Sequence, residues 1–199
     1  MTPDFRSARE VREDFHNRFP LLKHTVWSIK SPSDNTYQCF AWAACRTGIL
    51  WWPKGFYWPP NSPPINSVDF FVIEFGKVGY KPCKNSNYEF GYQKVAIYTT
   101  IDGSVTHMAR QHFFGRGWLS KIGDFEDILH ANLESIEGNP SPYSGTYGQV
   151  ALILKRNWWE TIFHLCLFRS IFCSFKFLIY RIKHPSLILD NVKNSILAK

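Results

Sequence analysis

The chain has 199 residues, of which 45% are apolar and 20% charged. That composition excludes a disordered polypeptide and supplies apolar surface for one compact core with an appendage. The net charge of +7 is unevenly placed: residues 155–199 hold eight basic and two acidic side chains, so the tail carries +6 and residues 1–154 only +1. A nucleic-acid partner loses its electrostatic case once the excess is assigned to the tail.

Residues 7–18 (SAREVREDFHNR) predict a short polar helix. The turn-forming run SPSDN (31–35) leads into TYQCFAWAACRTG, where Asn35 suits an N-cap, Gln38 the N3 position of a capping box and Gly48 the C′ stop. This predicts a helix over 36–47 with Cys39 in its first turn. Residues 50–64 are rich in Trp and Pro and build neither a helix nor a central strand. Val68, Phe71, Val72, Phe75 and Val78 recur at helical spacing, with Gly79 as the stop, predicting a helix over 67–78.

Two β-rich runs within 92–111 flank Asp102-Gly103, a strong hairpin signal. A two-residue turn there pairs His107 with Tyr98 and Ala96 with Ala109. A strand at 117–121, a helix over 124–136, a Gly/Pro/Ser loop at 138–147 and a buried strand in YGQVALILKR follow. The order predicts an α+β fold, with N-terminal helices packed on a small antiparallel sheet. Three parts are expected: an N-terminal extension over 1–30, the α+β domain over 31–157 and an apolar, basic helical tail over 158–199.

Residues 161–180 have the length of a membrane span but include His164, Arg169 and Lys176. Each such charge near a span's centre costs about 2.5–3.5 kcal/mol, so a true span is marginal. Arg169 and Lys176 share one helical face, which suits a helix lying in a membrane surface, with contact through residues 158–182. A helix packed on the domain is the competing expectation. Residues 1–12 mix charges of both signs without an apolar run, so no signal peptide is predicted and the expected location is the cytoplasm.

The five cysteines (Cys39, Cys45, Cys83, Cys166, Cys173) show no zinc-ligand spacing, and no phosphate-loop, dinucleotide or HExxH motif occurs. No metal and no cofactor are expected. Free thiols remain for catalysis or burial. A thiol reacts as thiolate, which a helix N-terminus favours, and this singles out Cys39. A nucleophile needs a base, and His107, held on a strand, is the best placed of seven histidines. Ser120 and Asp124 both compete to orient it, and the Asp124 carboxylate is the better partner for an imidazolium.

A cysteine opening an apolar, aromatic helix, followed by antiparallel strands that carry histidine, resembles the papain-like cysteine hydrolase superfamily. YQCFAWAA (37–44) looks like the nucleophile helix of CHAP amidases, and KVAIYTTIDGSVTHMA (94–109) is similar to the strand pair of NlpC/P60-like hydrolases. Those families place their histidine at the start of the first strand, where this chain has Lys94. NTYQCFAWAA, THMARQ, GWLSKIGD and YGQVALILKR together also resemble an uncharacterised bacterial domain family.

The resemblance implies a thiol-dependent hydrolase or deamidase acting on an amide, isopeptide or thioester bond of a protein or peptide. Cys39 would attack, His107 would move the proton, Asp124 would orient the imidazole, and Gln38 or Asn35 would help hold the oxyanion. The alternative is a catalytically silent domain of the same architecture that binds protein or peptide. Trp42 and the Trp/Pro-loop residues Trp51, Trp52, Tyr57 and Trp58 are the candidate contact surface.

Overall fold

A computed structural model describes residues 7–45, 65–140 and 145–158. It is an α+β fold built on one seven-stranded antiparallel sheet, in the order β1-β6-β5-β4-β3-β7-β2. The strands are β1 (Trp27–Ile29), β2 (Lys81–Cys83), β3 (Tyr92–Thr99), β4 (Val105–Gln111), β5 (Trp118–Lys121), β6 (Asp127–His130) and β7 (Gln149–Asn157). Helix α1 (Ala8–Arg18) precedes them, while α2 (Cys39–Ala43) and α3 (Val68–Gly76) lie between β1 and β2. Short 3-10 turns cover Pro20–His24 and Leu133–Ile136.

Alternation along the central strands gives the sheet two buried faces. Val95 and Ile97 of β3 join Met108 of β4 and Leu154 of β7 under α2 and α3. Ala96 and Tyr98 of β3 join Ala109 of β4, Ile128 of β6 and Ile153 of β7 under α1. Helix α1 starts with a complete capping box between Ser7 and Glu10 and buries Val11 and Phe15 against that second face. β1 then pairs with β6. Residues 7–29 therefore pack into the same body as the sheet, and α1 acquires the structural role that its polar sequence conceals.

The predicted hairpin register is present: Ala96 opposes Ala109 and Tyr98 opposes His107. The turn is longer than two residues, because Thr99 opposes Val105 and the register shifts beside Tyr98. Helix α3 begins at the Ser67 cap and buries the expected Phe71 and Phe75. Its end is followed by Gly79 at φ 89°, a conformation that glycine adopts without strain.

Two expected helices differ. The helix at Cys39 spans five residues rather than 36–47, and Gln38 occupies its N-cap without a side-chain bond. Asn35 does not cap it; Asp34 instead accepts from the Thr36 main chain at 2.8 Å, forming a local turn that holds the chain extended up to Gln38. The expected helix over 124–136 is strand β6 followed by a 3-10 turn. Asp127, Ile128, Leu129 and His130 pair with β5 on one side, and 128–130 with β1 on the other. The sheet's central position for this segment outweighs a local pattern compatible with a helix.

The loop residues Trp51, Trp52, Tyr57 and Trp58, the Gly48 stop and the tail from residue 159 lie outside the described residues. Among the described residues, no helix is long and apolar enough to cross a membrane.

Candidate functional site

Cys39 stands at the first position of α2, where the chain leaves its extended approach and turns over β4. It is 7% exposed and belongs to the apolar cluster that contains Val95, Ile97 and Met108. Burial pushes its thiol up to about 11, against smaller opposing effects from the main chain at Met108 and Phe40 and from the Lys121 charge. The five-residue helix and its favourable end do not overcome desolvation, so the resting group is a thiol.

His107 belongs to the other face. It opposes Tyr98, with ring centroids 5.5 Å apart, and stacks on Tyr147 at 4.0 Å. Both tyrosines belong to or pack against the cluster under α1. The sheet therefore separates Cys39 from His107, and among the described residues no hydrogen bond joins them. The hairpin register read from the sequence was right, but α2 approaches the face on which Val95 and Ile97 lie, not the alanine face.

The histidine instead enters a buried relay. His130 Nδ1 lies 2.7 Å from the Asn132 carbonyl, which can only accept, so Nδ1 carries the proton. Ser120 Oγ then donates to His130 Nε2 at 2.9 Å and accepts from His107 Nε2 at 3.0 Å. This leaves His107 Nδ1 a bare acceptor, and it is buried without a partner. Burial pushes His107 well below its ordinary value, with the neighbouring His130 adding to the effect. His130 is pushed down by burial to about 4. Both rings are neutral near pH 7.

Asp124 does not orient His107. It is exposed in the β5–β6 turn, while Ser120 makes the contact. Asn35 is exposed, and Gln38 is half-buried with Oε1 unpartnered. Trp42 is 6% exposed and forms part of the core, so it offers no surface platform. Lys94, which stands where the hydrolase families have histidine, is buried and donates to the carbonyls of Asn85 at 3.2 Å and Asn87 at 2.6 Å. It clamps the loop before β3.

Around Cys39 the structure gathers residues that the sequence reading missed. Lys121 of β5 and Asp127 of β6 are cross-strand partners, both fully buried. The Lys121 amine donates to the Phe125 carbonyl and lies 5.3 Å from the Tyr37 ring. The Tyr37 hydroxyl donates to Asp127 Oδ2 at 2.9 Å, and Asp127 Oδ1 is buried without a partner. Burial pushes Asp127 up to about 6 and holds Lys121 below its ordinary value. Nearby, Arg110 lies 4.1 Å over the Trp42 ring and donates to Cys45 Sγ at 3.0 Å, while Arg156 reaches the same sulfur at 3.5 Å. Strand alternation past Gly123-Asp124 would have put Lys121 and Asp127 face to face, had that segment been read as a hairpin.

The surface carries a second feature. Phe90 and Phe114 are 79% and 66% exposed. Phe90 and Phe113 meet Trp158 at 4.8 and 4.4 Å, and Phe113 meets Phe114 at 5.0 Å. The loop before β3, the β4–β5 turn and the end of β7 thus bring rings distant in sequence into one exposed cluster.

These features define a seven-stranded α+β domain with thiol and imidazole buried on opposite faces of its sheet. Residues 28–155 match the family model described as Domain of unknown function (DUF7689), and the chain belongs to that family. No curated protein and no solved structure matches it.

Proposed function

We propose that this domain acts by binding a protein or peptide and is silent as a thiol hydrolase. The observation that carries the reading is the cluster of exposed Phe90, Phe113 and Phe114 around the half-buried Trp158 ring. Large aromatic side chains held in the open by separate loops form a contact surface for apolar side chains of a partner. The competing hydrolase needs a thiolate and a base within hydrogen-bond reach. Cys39 has a raised thiol, and His107 is committed to Ser120 across the sheet.

The test is panning of a random peptide library on the full chain. The expected result is enrichment of peptides with aromatic or large apolar anchors, whose affinity falls at least about tenfold in a Phe90→Ser/Phe114→Ser variant. Both side chains are exposed, so the variant keeps the core intact. Unchanged peptide affinity in this variant overturns the reading. So does rapid iodoacetamide labelling of Cys39 at pH 7 that slows in His107→Ala.

A further inference from the structure

We infer that the ring cluster around Trp158 takes an acidic polypeptide segment, one that sets aromatic or large apolar anchors among carboxylates. The inference names the charge of the partner and rests on the binding reading. Residues 1–154 are close to neutral as a whole, but the fold gathers basic side chains at one end of the sheet. That end is where the loop before β3, the β4–β5 turn and the end of β7 bring the rings together. Residues 80–94 carry three basic side chains, 110–118 two and 153–158 two, against one acidic residue, Glu89. A surface of one sign favours a partner of the other.

Contacts tie these charges to the rings. The Tyr88 ring packs on Gly115, which joins the loop before β3 to the β4–β5 turn, and Arg116 is exposed beside them. His112, its ring 6.0 Å from that of Phe114, faces the charges of Lys30, Arg116 and Arg110. Toward β7, Lys155 lies 4.3 Å over the Tyr92 ring and opposes the exposed Lys81 across the strands, a like-charge pairing that costs stability. Glu89 illustrates what such a surface accepts. It stands between Tyr88 and Phe90, and its carboxylate lies 2.9 Å from Lys155 and 3.6 Å from Lys94. With that carboxylate already held, the exposed Lys81, Lys84 and Arg116 present charge for carboxylates of a partner. The rings suit side-chain anchors better than stacked bases. Phe113 and Trp158 stack on one another, while Phe113 meets Phe114 at 87° and Phe90 meets Trp158 at 70°. Rings at right angles do not offer the succession of parallel faces that a single nucleic-acid strand uses.

Calorimetric titration of the full chain with three peptides tests the inference: EEFEELFEE, the same peptide with serine for every glutamate, and the same with lysine. At low salt the glutamate peptide should bind at least about tenfold more tightly than the serine peptide, the sum of several modest surface charge pairs. The lysine peptide should bind more weakly than either, and the glutamate advantage should shrink as salt is raised. Lys84→Ser/Arg116→Ser alters two exposed side chains and so keeps the core intact. It should cost the glutamate peptide about fivefold and leave the serine peptide unchanged, whereas Phe90→Ser/Phe114→Ser should weaken both. Equal affinities for the glutamate and serine peptides overturn the inference and leave the binding reading standing. Absence of binding by all three, or affinities unchanged in Phe90→Ser/Phe114→Ser, overturns both. Tighter binding of oligothymidylate or of phosphatidylserine vesicles than of the glutamate peptide would assign the surface to nucleic acid or membrane and also overturn the inference.

Discussion

Arg110 of β4 donates to Cys45 Sγ at 3.0 Å from a guanidinium seated 4.1 Å over the Trp42 ring. Arg156 approaches the same sulfur at 3.5 Å. Both cysteines are buried, and burial pushes the Cys39 thiol up. They are six residues apart in one aromatic segment, but two guanidinium groups lie against the Cys45 sulfur. A neighbouring cation makes a thiol a better nucleophile, so peptide mapping after limited iodoacetamide treatment at pH 7 is expected to show Cys45 modified ahead of Cys39. Arg110→Gln should slow Cys45 labelling at pH 7 several-fold while leaving Cys39 unchanged. Equal labelling rates for the two thiols would defeat this prediction.

Asp127 makes a prediction about pH and stability. Its folded value of about 6 lies above its unfolded one, near 3.9, so the folded state holds the proton more tightly. Stability from this group is present at low pH and lost as pH rises through about 6, a penalty of roughly 3 kcal/mol by pH 7. Asp127→Asn keeps an acceptor for the Tyr37 hydroxyl and removes the buried charge. It should raise Tm at pH 7.5 and give little gain at pH 4, measured by thermal unfolding. A variant less stable than the parent at pH 7.5 would contradict the assignment of a costly charge.

The histidines act with the opposite sign. His130 is pushed down to about 4, so the unfolded chain binds its proton first as pH falls below about 6.5. Stability is lost between about 6.5 and 4, by roughly 3 kcal/mol from His130, and His107 shifts in the same direction. Asp127 offsets part of this across the same window. The parent protein should lose Tm from pH 6.5 to 4, and Asp127→Asn should steepen the loss. Parallel curves would show that the two groups do not oppose one another.

How much of this was legible follows from which interactions decide each element. The β3–β4 register was readable because alternation and turn chemistry are local, and the structure keeps Tyr98 opposite His107. Helix α3 was readable because its Ser67 cap and apolar spacing agree. Segment 124–136 was misread because Asp124, Glu126 and Asp127 imitate an acidic helix start, while β6 is held as a strand between β5 just before it and β1, about a hundred residues away. The same misreading hid Asp127 and His130 from the sites they complete. Which face of the sheet α2 covers is set by packing, and spacing along the chain carries no record of it. Cys39 and His107, nominated as nucleophile and base, thus fall on opposite faces of the sheet.

Ser120 tests the relay directly. Its hydroxyl is fully buried and bonds both His107 Nε2 and His130 Nε2. Ser120→Ala deletes one oxygen and leaves two buried ring nitrogens without partners. Each such group costs about 1–3 kcal/mol, so a loss of roughly 2–6 kcal/mol is expected in chemical denaturation. Both rings stay buried, so their titration should remain depressed in the variant, which proton NMR of the imidazoles reads out. Ser120→Thr restores the hydroxyl and should recover most of the stability, at some packing cost. A loss below about 0.5 kcal/mol in Ser120→Ala would mean the serine does not bridge the two histidines.

Gly148 sets the junction where β7 joins β3. It has φ 82°, and a Cβ placed there would overlap the carbonyl oxygen of Thr99. The paired register of β3 and β7 shifts between Ile97 and Tyr98, next to this point, and Gly148 also exchanges main-chain hydrogen bonds with Gly138 at 2.9 and 3.0 Å. Two penalties therefore coincide in Gly148→Ala: a left-handed backbone that disfavours a side chain, and a clash with main chain that cannot rotate away. The expected destabilisation is at least about 3 kcal/mol, from conformational strain plus a displaced strand pair. Gly103→Ala provides the control, since it shares the positive φ but has open space around its Cβ. It should lose only about 1 kcal/mol. Comparable losses at the two glycines, measured by urea unfolding, would show that backbone conformation alone sets the effect and that the Thr99 contact contributes nothing.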